Sequence, residues 1–292
     1  MSDLLISRQT DTQLKAILER APQALLIIGD VGSGRRRLAE GLASRFLGIT
    51  HDKISSYPYL RVVSKVDGKA ISIDQMRELK SFLKLKLPGK SSGVRRYVII
   101  ESAESMGSDA QNSILKFIEE PPEDTLLILL VERESDVLPT IRSRCMLLRI
   151  VHPGKEVATT FAQKLYPSVP LSEITSAYAL SGGRSGLFLG ILSSKSHPLV
   201  EAISQAKSLL GASGFDKLLR VNELSKQKES LANLQFALNR VAQAGIESAS
   251  AKSDQPQIKR WGRVLSALEL FDVRLAANVN TKLALTELML AL

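Results

Sequence analysis

The chain is poor in the side chains that build covalent, metal or aromatic sites. Its 292 residues include one cysteine, Cys145, one tryptophan and three histidines. A single cysteine excludes an internal disulfide and a multi-cysteine zinc site, and a reducing cytoplasm fits. His51, His152 and His197 are scattered and adjoin no cysteine or carboxylate pattern, so they read as ordinary residues and no metal is expected. Aromatics make up only 5%, which advertises no stacking platform for single-stranded nucleic acid. The longest unbroken apolar run is Leu126 to Val131, far short of the ~20 residues a membrane helix needs. The first residues carry Asp3 and no apolar core, unlike a secretory leader.

What remains is the composition of a globular protein, 44% hydrophobic and 24% charged. The net charge of +9 favours an anionic partner, but mildly, and a solvated basic surface explains it as well. The length suits two or three domains.

A short helix is expected over residues 11–21. Residues 24–28 form a compact apolar run between Pro22 and Gly29, as in a strand buried on both faces. A glycine-rich turn follows, and then Leu38, Leu42 and Phe46 recur at helical spacing. Further strands are expected at 59–66, 97–100, 126–131 and 146–151. Helices are expected at 74–87 and 109–119, the second stopped by Pro121-Pro122. Alternating strands and helices predict an α/β domain with a doubly wound, mostly parallel sheet.

After Val151 only helical periodicity remains, broken at 181–183, 193–198 and 211–214. Polar residues 248–257 read as an exposed loop between helices. Trp261, Leu265, Leu268 and Phe271 form one stripe that would pack a core or a subunit contact. The expected division is therefore an α/β domain at 1–153, a small helical domain at 154–209 and a larger helical domain at 210–292.

Residues 29–36 follow the phosphate-loop frame, with Gly29 and Gly34 in place after a strand and before a helix. The chemistry is absent. Where the frame has a lysine for the β- and γ-phosphates stands Arg35, and where it has a metal-binding hydroxyl stands Arg36. The acidic motif ending the third strand is altered too. Glu101 takes the place of the magnesium-binding Asp, Ser102 takes that of the water-orienting Glu, and Glu104 follows. Two independent defects argue against intrinsic ATP hydrolysis. The loop is then either a bare strand–helix turn or a weak, metal-poor phosphate site at a helix N-terminus.

The middle of the chain closely resembles the AAA+ clamp-loader subunits of bacterial DNA polymerase III. The resemblance rests on Asp109-Ala110-Gln111-Asn112 with Leu115-Lys116, on Glu119-Glu120-Pro121-Pro122, and on Leu138-Pro139-Thr140-Ile141-Arg142-Ser143-Arg144-Cys145. Residues 73–79 and 278–288 look like two further helices of that family. It is strong over 71–151 and weak over 154–275. It implies an AAA+ domain followed by a helical lid and an oligomerising collar. Motor subunits of the gamma/tau type keep the lysine and hydroxyl of the loop, so this chain resembles a non-motor member. Many such members carry a cysteine-ligated zinc module, but residues 48–58 are short and lack cysteine, so zinc is not expected. The family's polar sensor falls at Val131, and its sensor arginine falls near Gly186 with Arg184 close by.

The resemblance implies a role for Arg144, with motif neighbours Ser143 and Cys145. It would reach, as an arginine finger, the ATP bound by a neighbouring subunit. On spacing alone Arg144 is one more surface cation beside Arg142 and Arg149. Cys145 reads as a packed small side chain. Arg77, Lys80 and Lys84 share one helix face, which in the family follows the DNA backbone; a solvated face is the plain alternative. Implied partners are gamma/tau-type and delta-type subunits and primed DNA, with no membrane. Two rival readings stand: an active ATPase of the same family, and a stand-alone basic DNA-binding module.

Overall fold

A computed structural model of the chain describes residues 4–66, 69–87, 93–122, 124–193 and 198–292. His197 lies outside the described residues, as does part of the break expected at 193–198. Packing resolves two compact units. The first comprises residues 1–154 with Arg184–Gly186, and the second comprises 155–183 with 187–292.

The first unit is built on five parallel strands: β1 (Ala24–Ile28), β2 (Leu60–Val63), β3 (Arg96–Ile100), β4 (Thr125–Val131) and β5 (Met146–Arg149). Their order is β2-β3-β4-β1-β5. The helices are α1 (Arg8–Arg20), α2 (Arg35–Leu47), the short α3 (His51–Ile54), α4 (Ile73–Leu83), α5 (Ser108–Glu119) and the short α6 (Pro139–Arg142). Every residue of β1, β3 and β4 is buried. Side chains alternate between two apolar layers. Leu25 and Ile27 pack with Leu14, Leu38 and Leu42 on one face, while Leu26 and Ile28 pack with Met76, Leu79 and Ile114 on the other. A sheet covered on both faces makes its strands uniformly apolar rather than alternating.

Helix α4 stops at Leu83, four residues short of the expected end, because its C-terminus is captured. The buried Arg96 of β3 donates to the carbonyls of Leu83 and Leu85, and its guanidinium lies 5.4 Å from the centre of the Phe82 ring. These bonds satisfy carbonyls at the helix end that have no donor within the helix. Desolvation holds the Arg96 pKa below its ordinary value despite Asp124 nearby. Lys84 therefore sits at the helix cap rather than inside the helix.

The second unit is all helical: α7 (Lys155–Leu165), α8 (Leu171–Ser181), α9 (Ser185–Ser193), α10 (Pro198–Gly211), α11 (Gly214–Leu224), α12 (Lys228–Ala251), α13 (Gln255–Ala276) and α14 (Thr281–Ala291). The expected boundary between 209 and 210 falls inside α10. One core runs from Leu180 and Leu187 through Leu209 and Leu238 to Leu285. The polar stretch 248–257 is mostly helix rather than loop, and only residues 252–254 connect α12 to α13. Helices α12 and α13 approach closely: a Cβ on Gly245 would lie 2.4 Å from the Trp261 ring. Leu268 and Phe271 are buried, and Trp261 and Leu265 pack against the same core.

Candidate functional site

The two regions singled out in the sequence both belong to the first unit. The glycine loop follows β1 at the carboxyl edge of the sheet, where β4 and β5 flank β1. Gly29 donates to the Val131 carbonyl at 3.1 Å, and Ile150 donates to that of Ile28 at 2.8 Å. Gly34 caps α2 with φ of 89°, a left-handed conformation that favours glycine.

Arg36 and Glu101, the two misfits of the nucleotide motifs, meet. Arg36 Nη1 lies 2.7 Å from Glu101 Oε1, and Nε is hydrogen-bonded to Glu40, one turn along α2. Burial alone would lower the Arg36 pKa, but the two carboxylates outweigh it and the net direction is upward. A guanidinium thus stands where the motif needs a hydroxyl on a metal, and it occupies the acid that would hold the ion. These residues do not fit a magnesium nucleotide. Like charge repels the cation, and its ligand is already engaged.

Arg35 is nearly enclosed, with its side chain 14% exposed, and its Nη2 is 3.9 Å from Glu132. Glu104, also near Arg35, is held above the usual carboxylate range by burial, against the pull of that arginine. The rest of the loop is filled from Arg184–Gly186. Arg184 Nη2 lies 3.3 Å from Asp30, and His152 Nε2 approaches the same carboxylate at 3.2 Å. A Cβ on Gly186 would stand 2.8 Å from the Gly32 carbonyl and 3.0 Å from the Gly34 amide, so backbone packs directly on the loop. The position aligned with the polar sensor, Val131, is fully buried.

The second region is the turn from α6 into β5. Pro139 starts α6, and Ile141 and Cys145 are buried on either side of Arg144. The amides of Arg144 and Cys145 both donate to the Ile141 carbonyl, closing a tight turn that leaves Arg144 outside. Buried Gln111 braces the turn: its Oε1 accepts from the Leu138 amide at 2.9 Å, and its Nε2 donates to Met106. Burial pushes the Cys145 thiol up to about 12, as a packed residue rather than a nucleophile. Arg142 and Arg149 share Glu134. Arg144 does not. Its Nε sits 2.8 Å from Glu119 Oε1, and its Nη1 donates to the Thr140 carbonyl at 3.1 Å and approaches Ser143 Oγ at 3.3 Å. Among the described residues no hydrogen bond is made by Nη2, and the side chain is 40% exposed.

On α4, Arg77 pairs with Asp74 at 2.6 Å with both side chains largely exposed, Lys80 is half-buried and Lys84 is exposed. Reading by sequence missed Glu40, Asp30 and Glu132, and it named Glu119 without its contact to Arg144. Only Glu40 had a local signal, its i, i+4 spacing from Arg36. Among the described residues no cluster of His, Cys, Asp and Glu could hold a metal ion, and no helix is long and apolar enough to cross a membrane.

A parallel five-stranded sheet with a glycine loop after its β1 strand, together with an all-helical unit, gives this chain the AAA+ type of fold. The chain belongs to the family described as DNA polymerase III, delta subunit, whose model matches residues 7–153. It is 32% identical over 175 residues to the DNA polymerase III subunit delta' of Pseudomonas aeruginosa, covering 55% of this chain and 52% of that one. To the subunit of the same name from Escherichia coli it is 27% identical over 162 residues, covering 54% and 47%. The chain thus spans about half the length of these curated relatives. A gamma subunit-related protein of DNA polymerase III from Thermotoga maritima shares the fold over 97% of both chains, with a TM-score of 0.50 and 22% identity.

Proposed function

We propose that this chain is a non-hydrolysing subunit of a clamp loader that lends Arg144 to ATP held by a neighbouring gamma/tau-type subunit. The carrying observation is the uncommitted Nη2 edge of Arg144, in a chain whose own loop is closed by the Arg36–Glu101 pair. A planar, permanently charged guanidinium on a braced turn suits charge that develops on a γ-phosphate in transfer. Its preset orientation limits the reorganisation needed at the moment of reaction. Residues 210–292 of the helical unit would serve as the collar and residues 154–209 as the lid, beside gamma/tau-type and delta-type subunits in the cytoplasm, and the assembly would load a sliding clamp on primed DNA. Arg77, Lys80 and Lys84 would meet the DNA backbone through salt-dependent contacts, with the Arg77 share reduced by Asp74. No zinc or nucleotide of its own enters this reading.

Steady-state ATP hydrolysis in a reconstituted loader, stimulated by clamp and primed DNA, tests it. With assembly verified, Arg144→Ala should lower the rate by ~10³ while Arg35→Ala leaves it unchanged. The reverse pattern would make the loop a working nucleotide site. Salt-sensitive DNA binding by the isolated chain would instead favour a stand-alone basic module.

A further inference from the structure

We infer that Glu119 is the positioning residue for Arg144, setting the direction in which its free guanidinium edge is presented. The inference rests on the reading of Arg144 as a finger. Glu119 is the last residue of α5, just before Glu120 and two prolines. A carboxylate there is unfavourable for the helix itself, because the C-terminal end carries partial negative charge. Its exposed ion pair adds little to stability in water. Neither helix propensity nor surface pairing accounts for an acid at this point, and a locally unfavourable residue directs attention to the site it serves.

The geometry supplies that service. Glu119 holds Nε at 2.8 Å, while Thr140 and Ser143 contact Nη1. Two separate sides of the guanidinium plane are thereby tied, one from α5 and one from the α6 turn. Swinging the plane about its last side-chain bonds breaks one of these contacts, so together they favour one heading for Nη2. Without Glu119 the Nε side is loose, and a long side chain samples several rotamers. A finger that is present but misdirected loses rate rather than substrate affinity.

The test is ATP hydrolysis by the reconstituted loader with clamp and primed DNA, comparing Glu119→Ala, Glu119→Gln, Arg144→Ala and the double variants at equal assembly. Glu119→Ala should lower kcat ~10-fold and leave the KM for ATP unchanged. Glu119→Gln keeps the side-chain length but loses the charge that faces Nε, so it should restore only part of the rate. In the Arg144→Ala background neither Glu119 change should lower the rate further. A wild-type kcat, an additive loss, or a faster rate for Glu119→Ala overturns the inference, the last by making Glu119 a restraint. If Glu119→Ala does not assemble, the smaller loss from Glu119→Gln must still vanish in the Arg144→Ala background. A silent Arg144→Ala removes the finger reading itself. A slow Arg144→Ala with normal Glu119 variants removes only the role of Glu119.

Discussion

The glycine loop and the Arg144 turn hold the same chemistry, arginines facing glutamates, and treat it oppositely. In the loop, Arg36 is divided between Glu101 and Glu40, Arg35 is enclosed, and Arg184 meets Asp30. Charge is cancelled inside the chain, and backbone at Gly186 fills the space. At the turn, Arg144 is tied on two sides and open on a third. The lesson is that an arginine's neighbours decide whether it is spent on the fold or kept for a partner.

Substituting lysine in both regions sharpens this contrast. Arg144→Lys keeps the charge but loses the planar fork, so the stimulated rate should fall ~10²-fold with no change in Tm. A near-normal rate would mean that charge alone suffices there. The loop answers to stability instead. Glu101→Gln should cost about 1–2 kcal/mol in urea unfolding, after allowing for the partial exposure of Arg36. Combined with Arg36→Met, the loss should be smaller than the sum of the single losses. Additive losses would mean that the pair is not coupled.

Gly186 probes the packing of the loop rather than its charge. Alanine removes backbone entropy and by itself would stabilise a helix by up to ~1 kcal/mol. The added methyl, however, meets the Gly32 carbonyl and the Gly34 amide, and overpacking against backbone costs roughly 1–3 kcal/mol. The clash should win, leaving Gly186→Ala about 1 kcal/mol less stable by thermal or urea unfolding. A stabilised variant would show that the loop can open there.

The sheet was legible because strands covered on both faces leave continuous apolar runs, as at residues 24–28 and 126–131. The end of α4 was not, because the group that stops it, Arg96, comes from a strand beyond it in the chain. Residues 248–251 read as loop because they are polar. They are helical because α12 needs only one buried face, here marked by Ala249 and by Gly245 against Trp261. At the site, sequence showed the glycine frame and the altered residues but presented Arg36 and Glu101 as two separate defects. Sixty-five positions apart, they compensate one another only in space. Glu119 appeared as a helix end, and its contact with Arg144 depends on where α6 places that arginine.

The smallest effect concerns pH and separates burial from pairing in the loop. Glu104 has a pKa raised above the ordinary carboxylate value, chiefly by burial, although Arg35 pulls the other way. Between the unfolded value of about 4.3 and its raised folded value, the native chain keeps a proton that the unfolded chain has lost. Stability from this group is therefore complete below the unfolded value and is lost as pH rises through the folded one. Glu104→Gln carries no such liability. It should match the parent in urea unfolding near pH 4 and be slightly more stable at pH 7. If the variant is instead weaker at pH 7, the attraction of Arg35 exceeds the burial penalty, and the loop is held by a second ion pair like that of Arg36.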